Sequence, residues 1–158
     1  MIALGIDPGT RRVGFGVVER KFGTVCFKDA GILKITSASE SDALRDVKRE
    51  MDRIVKKYKP DIMGVERIFF AKNQKTAIAV AQARGVILLS AAENDVFIKE
   101  YGPNEIKAGI TGYGSADKKA VFKMVKLTLG EHSLKIIDDA SDALAIAIMA
   151  SGERVTNL

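Results

Sequence analysis

Two short segments limit what this chain can become. Ala3-Leu4-Gly5-Ile6-Asp7 and Ile62-Met63-Gly64-Val65-Glu66 share one pattern: two apolar residues, a glycine, a third apolar residue and a terminal carboxylate. Short runs with no polar alternation read as strands buried on both faces, the condition of central strands in a helix-covered sheet. In an open α/β sheet, ligands bind at the C-terminal edge of such strands. As parallel neighbours, the two segments would set Asp7 and Glu66 side by side at that edge. Taken singly, Asp7 merely opens the Pro8-Gly9 turn and Glu66 merely leaves the sheet. The repetition is what points to a shared site.

The rest of the chain supplies partners for these strands. Val13 to Glu19 and Thr24 to Lys34 are β-rich and should follow the first strand as an antiparallel meander. Ser41 to Lys59 carries Leu44, Val47, Met51, Ile54, Val55 and Tyr58 at helical spacing, and Pro60 marks its stop. Ile68 to Lys75 reads as a loop. Thr76 to Asn94 reads as a helix apolar around most of its circumference, so it is either sandwiched in the domain or packed on a second subunit. Val96 to Tyr101 reads as a strand and Asn104 to Ile110 as a short helix. Ser115 is the expected cap of a helix to about Leu129, and a last helix runs from near Asp138 to Ala150. This order predicts an α/β fold with a mixed sheet and helices on its faces. With no linker and no repeat, residues 1–158 are expected to form a single domain.

The last helix brings more acid. Asp138-Asp139-Ala140-Ser141-Asp142 leads into Ala143-Leu144-Ala145-Ile146-Ala147-Ile148-Met149-Ala150, a segment small and apolar on every side. An unpaired carboxylate against such buried surface costs several kcal/mol. Service to the helix N-terminus explains Asp138 well, Asp139 partly and Asp142 poorly. Asp139 and Asp142 share a helical face by their spacing. Clustered carboxylates repel one another unless a cation neutralises them, and oxygen-only ligands suit Mg²⁺ or Mn²⁺. Two such ions about 4 Å apart can clamp a phosphodiester, activate water and stabilise the leaving oxygen.

Other chemistries are excluded by composition. The single cysteine, Cys26, and the single histidine, His132, permit neither an internal disulfide nor a Cys/His zinc site. The longest unbroken apolar stretch, Ala143 to Ala150, is far below the roughly 18 residues of a membrane span. The N-terminus has no basic start and no cleavage-site pattern, so a cytoplasmic address is expected. The formal charge of +5 hints at a polyanionic partner. Ile68-Phe69-Phe70-Ala71-Lys72-Asn73-Gln74-Lys75 follows Glu66 with aromatics to stack on bases and lysines to hold phosphates, unless the Phe side chains turn into the core. Around Gly112-Tyr113-Gly114, Lys107 and Lys118 border a loop able to receive phosphate. Lys119, Lys123 and Lys126 form a stripe that an ordinary solvated helix face would equally show.

Several of these segments resemble one family. Gly5-Ile6-Asp7-Pro8-Gly9-Thr10 resembles the opening of the RuvC Holliday junction resolvases. So do Glu66-Arg67-Ile68-Phe69-Phe70-Ala71-Lys72-Asn73, Gln82-Ala83-Arg84-Gly85 and Gly114-Ser115-Ala116-Asp117-Lys118. Asp139-Ala140-Ser141-Asp142-Ala143-Leu144-Ala145-Ile146-Ala147-Ile148 completes the set, in the family's order and spacing. The resemblance implies a ribonuclease H-like fold, a mixed five-stranded sheet with helices on both faces. It also implies a homodimeric endonuclease that resolves four-way (Holliday) DNA junctions by paired symmetric nicks, in recombination and repair. It maps four metal-binding acids onto Asp7, Glu66, Asp139 and Asp142, choosing Asp139 over Asp138, with two Mg²⁺ (or Mn²⁺) ions per site.

The resemblance further maps DNA contacts onto Phe69, Lys107 and Lys118, and a dimer interface onto the helix from Thr76; Lys72, in the segment after Glu66, is a further DNA-binding candidate from its own chemistry. It implies a branch-migration complex of the RuvA and RuvB type as partner. A longer basic tail after the last helix, as some relatives carry, is not expected here. Two rivals stand beside it: a single-domain relative of actin- or heat-shock-chaperone-type ATPases, whose first phosphate loop resembles Gly5 to Thr10, and a junction-binding module without catalysis. The ATPases clasp nucleotide between two domains, and intact acids at all four positions disfavour the module.

Overall fold

The computed structural model describes residues 1–9, 11–68 and 74–155. Its elements run β1 (Ile2–Asp7), β2 (Gly14–Lys21), β3 (Thr24–Ile32), α1 (Glu40–Tyr58), β4 (Ile62–Glu66), α2 (Gln74–Ala92), β5 (Phe97–Tyr101), α3 (Pro103–Thr111), α4 (Lys118–Leu129) and α5 (Asp138–Ala150). The sheet order is β3-β2-β1-β4-β5. β1, β2 and β3 form the antiparallel meander, while β1–β4 and β4–β5 are parallel. The mixed sheet with central β1 and β4 is therefore the one the sequence predicts.

Alternation along the strands sorts side chains between two cores. Leu4, Ile6, Met63 and Val65 pack with Val47, Met51 and Ile54 of α1 and Ile87 of α2. Ala3 and Ile62 pack on the opposite face with residues of α3, α4 and α5. By the same period of two, Gly5, Asp7, Gly64 and Glu66 belong to the α5 face. The glycine and the acid of each paired segment thus look the same way.

The glycines seat α5. Gly16, Gly5 and Gly64 lie in one row across β2, β1 and β4. A β-carbon on Gly5 would overlap the Ala143 carbonyl oxygen and the Ala147 amide nitrogen. On Gly16 it would lie 2.7 Å from the Leu144 nitrogen, and on Gly64 2.7 Å from Ile146 Cγ2. Gly14, the register partner of Asp7, likewise lies under the Asp139 carbonyl. Only a helix with small residues on its sheet side, such as Ala143, Ala147 and Ala150, fits so close to the strands.

Local chemistry places the element ends. Ser39 Oγ accepts the Asp42 amide at the start of α1, and Lys59 closes that helix in the left-handed conformation at φ 48°. α4 begins later than expected. Asp117, not Ser115, caps it, its carboxylate accepting the Ala120 amide at 2.7 Å. Both are cap-forming residue types, but Ser115 lies two positions upstream, in the turn. α2 starts at Gln74, inside the segment read as a loop. Ile78 is 70% and Leu89 52% exposed, whereas Ala83, Ile87 and Ala91 are buried. The helix therefore carries apolar surface that the described residues do not cover. Among the described residues no helix is long and apolar enough to cross a membrane.

Candidate active site

β1 and β4 end together, so Asp7 and Glu66 leave the sheet side by side. α5, seated on the glycine row, brings Asp139 and Asp142 over the same edge. All four acids line one cleft of about 300 Å³, closed by Pro103, Ile106 and Lys107 of α3 and Lys118 and Val121 of α4. Asp138 lies outside it, in a neighbouring groove with Lys119, Phe122 and Ile136. Spacing alone does not decide between Asp138 and Asp139; in the fold only Asp139 of the two lines the acid cleft.

The two halves of the cleft differ electrostatically. Burial pushes the Asp7 carboxyl up to about 7, and the charges of Glu66, Asp142 and Asp139 push the same way against Lys118. Glu66 is also raised, by burial first and then by Asp142, with Lys118 and Lys107 opposing. Desolvation and like charge both disfavour the ionised form. The helix acids instead meet cations. Lys118 Nζ donates to Asp142 Oδ2 at 2.9 Å, a bond that raises the lysine pKa. Arg12 Nε lies 2.9 Å from Asp139 Oδ2.

The donor set fits a hard divalent cation: carboxylate oxygens only, in a cleft whose buried acids favour added positive charge. Among the described residues no three acidic, histidine or cysteine side chains are gathered closely enough to grip an ion together. Two of the four acids are committed to protein cations, Asp139 to Arg12 and Asp142 to Lys118.

The structure brings together Asp7, Glu66, Asp139, Asp142, Lys107 and Lys118. Phe69 and Lys72 lie outside the described residues. Lys119 borders the neighbouring groove, and Lys126 Nζ stands 4.9 Å over the Phe122 ring. Arg12 was not anticipated. Its only signal was adjacency: the Arg11-Arg12 pair follows the turn after Asp7. Arg11 donates to the Ser37 and Ala38 carbonyls, a structural use, so the second arginine is the one at the site.

An acidic cleft at the C-terminal edge of a ribonuclease H-like sheet defines the class, a nuclease of that fold. The family model described as crossover junction endodeoxyribonuclease RuvC matches residues 3–150. The chain belongs to that family, and its enzyme class is crossover junction endodeoxyribonuclease. It is 46% identical over 149 residues to the RuvC of Fusobacterium nucleatum, covering 94% of this chain and 78% of the relative. It is 43% identical to the RuvC of Brachyspira hyodysenteriae, covering 99% and 98%.

Among solved structures, Thermus thermophilus RuvC in complex with a Holliday junction substrate superposes with a TM-score of 0.87 at 30% identity. That match covers 94% of this chain and 91% of the other. The yeast mitochondrial Holliday junction resolvase shares the fold at a TM-score of 0.66 and 14% identity, over 92% and 75% of the two chains. The ATPase and binding-module readings are disfavoured by these matches.

Proposed function

We propose that the four acids of the cleft, Asp7, Glu66, Asp139 and Asp142, hold two divalent ions, Mg²⁺ or Mn²⁺, for cutting a four-way DNA junction. One observation carries this reading: the ends of β1 and β4 together with α5 deliver four carboxylates, and α3 and α4 two lysines, to a single cleft. Bound divalent ions would supply the charge that activates water and stabilises the leaving oxygen, giving 5′-phosphate and 3′-hydroxyl ends. The residues around them do the rest. Asp7 and Glu66, fixed by the sheet, set where that charge sits. Asp139 and Asp142 complete the donors from α5. Lys107 and Lys118 face the incoming backbone phosphate, where each cation offsets phosphate charge.

Phe69 stacks on a base of the junction and Lys72 holds a phosphate. Two chains pair through the exposed apolar side of α2, with Ile78 and Leu89, so that two clefts nick opposing strands of a nearly two-fold junction. Residues 1–158 act as one domain, and a branch-migration complex of the RuvA and RuvB type supplies the junction.

The test is strand cleavage of a synthetic mobile four-way junction, with and without Mg²⁺, beside a linear duplex of the same sequence. Paired symmetric nicks, in the junction only and with metal only, are expected. Nicking that persists in EDTA would overturn the metal role. Equal nicking of the linear duplex would overturn the junction selectivity.

A further inference from the structure

Arg12 belongs to none of the roles above, yet it pairs with one of the four acids, Asp139. It stands three residues after Gly9 of the turn that follows Asp7 and two before Gly14, the glycine under the Asp139 carbonyl. Its Nε lies 2.9 Å from Asp139 Oδ2, while its side chain remains 63% exposed and that of Asp139 only 29%. The guanidinium therefore approaches from the solvent rim and Asp139 from the wall. Arg11 is tied to the Ser37 and Ala38 carbonyls, whereas Arg12 is paired with Asp139 of the cleft wall.

We propose that Arg12 is a positioning residue that holds Asp139 in the metal-free protein and exchanges it for a DNA backbone phosphate when Asp139 turns to metal. The inference rests on the metal-site reading above. A carboxylate oxygen shared with a guanidinium is a poorer donor to a second cation, because the two positive charges repel. Arg12 thus competes with metal for Asp139. A phosphate arriving at the rim offers Arg12 another anion, and a guanidinium suits phosphate geometry. Metal uptake and DNA binding then favour each other, since each removes the partner that opposes the other. Lys118 makes the matching contact to Asp142, so both helix acids start from a cation-held state.

The test uses the full chain. Mn²⁺ is titrated calorimetrically into DNA-free wild type, Arg12→Gln and Arg12→Lys. Arg12→Gln should bind Mn²⁺ about fivefold more tightly, the scale of one partly exposed ion pair, and Arg12→Lys should stay near wild type. Binding of a labelled four-way junction is then followed against salt, in EDTA and in Ca²⁺. In Ca²⁺ the slope of log affinity against log salt should fall by about one for Arg12→Gln, and in EDTA it should not change. Equal Mn²⁺ affinity in wild type and Arg12→Gln would overturn the exchange while leaving the metal site intact. Weaker Mn²⁺ binding in Arg12→Gln would overturn it too, making Arg12 a support for the ligand geometry. Wild type that binds no Mn²⁺ would overturn the metal-site reading and this inference with it. Unfolding midpoints of the variants should match wild type, since the arginine is mostly exposed.

Discussion

The cleft has a strand half and a helix half, and they are built on opposite terms. Asp7 and Glu66 are the last residues of two central strands, fixed by the register Gly5 to Gly64 and Ile6 to Val65. They are desolvated and crowded, and both carboxyls are raised. Asp139 and Asp142 ride on a helix placed only by side-chain and backbone packing, and each has its own cation at 2.9 Å. The strand half is rigid and electrostatically unsatisfied. The helix half is satisfied and depends on how α5 is seated. A site of this kind keeps its strain in the part least able to move.

The seating can be broken directly. Gly5→Ala puts a methyl group into the Ala143 carbonyl and the Ala147 amide, backbone atoms with no rotamer to escape through. The expected cost is about 3 kcal/mol or more, read as a lower midpoint in urea unfolding. The variant should also lose Mg²⁺-dependent nicking even where it stays folded, because both helix acids shift with α5. A loss below about 1 kcal/mol would mean that the glycine row does not place the helix.

Next in size is the strain itself. Asp7→Asn should abolish nicking, by on the order of 100-fold or more, and yet stabilise the metal-free protein. A carboxyl raised to about 7 holds its proton in the folded state while the unfolded chain ionises near 4. The folded state binds more protons over that window, so wild-type stability falls as pH rises from about 4 to about 7. Asn carries no such penalty. At pH 8 the gain should be about 2 kcal/mol, allowing for relaxation around a buried charge, and it should vanish at pH 4. Mg²⁺ should narrow the difference by stabilising wild type alone. Thermal melts across pH, with and without metal, check the sign.

These effects mark what the sequence made legible. The apolar runs ending in Asp7 and Glu66 announced the central strands, and the polar–apolar period of α1 announced its buried face. The glycines in those runs were visible, but their purpose was not. It appears only when Gly16, Gly5 and Gly64 fall into register beneath α5, a contact between residues about 80 or more apart in sequence. The same holds for Arg12 with Asp139: no local pattern pairs residues from the first turn and the last helix. The cap of α4 was misplaced because Ser115 and Asp117 both favour caps, and the path of the chain chooses between them. The choice of Asp139 over Asp138 came from the family likeness, and of the two only Asp139 lines the acid cleft.

The helix half yields smaller effects. Lys118→Ala frees Asp142 and removes a charge that opposes the rise at Asp7 and Glu66. The pH window over which metal-free stability falls should therefore move upward, and the salt slope of junction binding should flatten by about one. An unchanged slope would make Lys118 a partner of Asp142 alone.

The finest comparison lies within the first turn of α5. Asp139→Asn breaks an ion pair whose arginine is 63% exposed, so stability should change by no more than about 0.5 kcal/mol. Metal affinity should nevertheless fall, because a cleft donor is lost. Asp138→Asn alters a side chain in the neighbouring groove with Lys119 and Phe122, outside the acid cleft. It should leave both Mn²⁺ affinity and nicking near wild type. The two variants carry the same chemical change on adjacent residues, at nearly equal distance from the positive helix end, so the macrodipole cannot separate them. Only the face on which each side chain lies can. Equal loss of Mn²⁺ binding in both would show that the summed negative charge at this end of α5, rather than specific carboxylate donors, draws the metal.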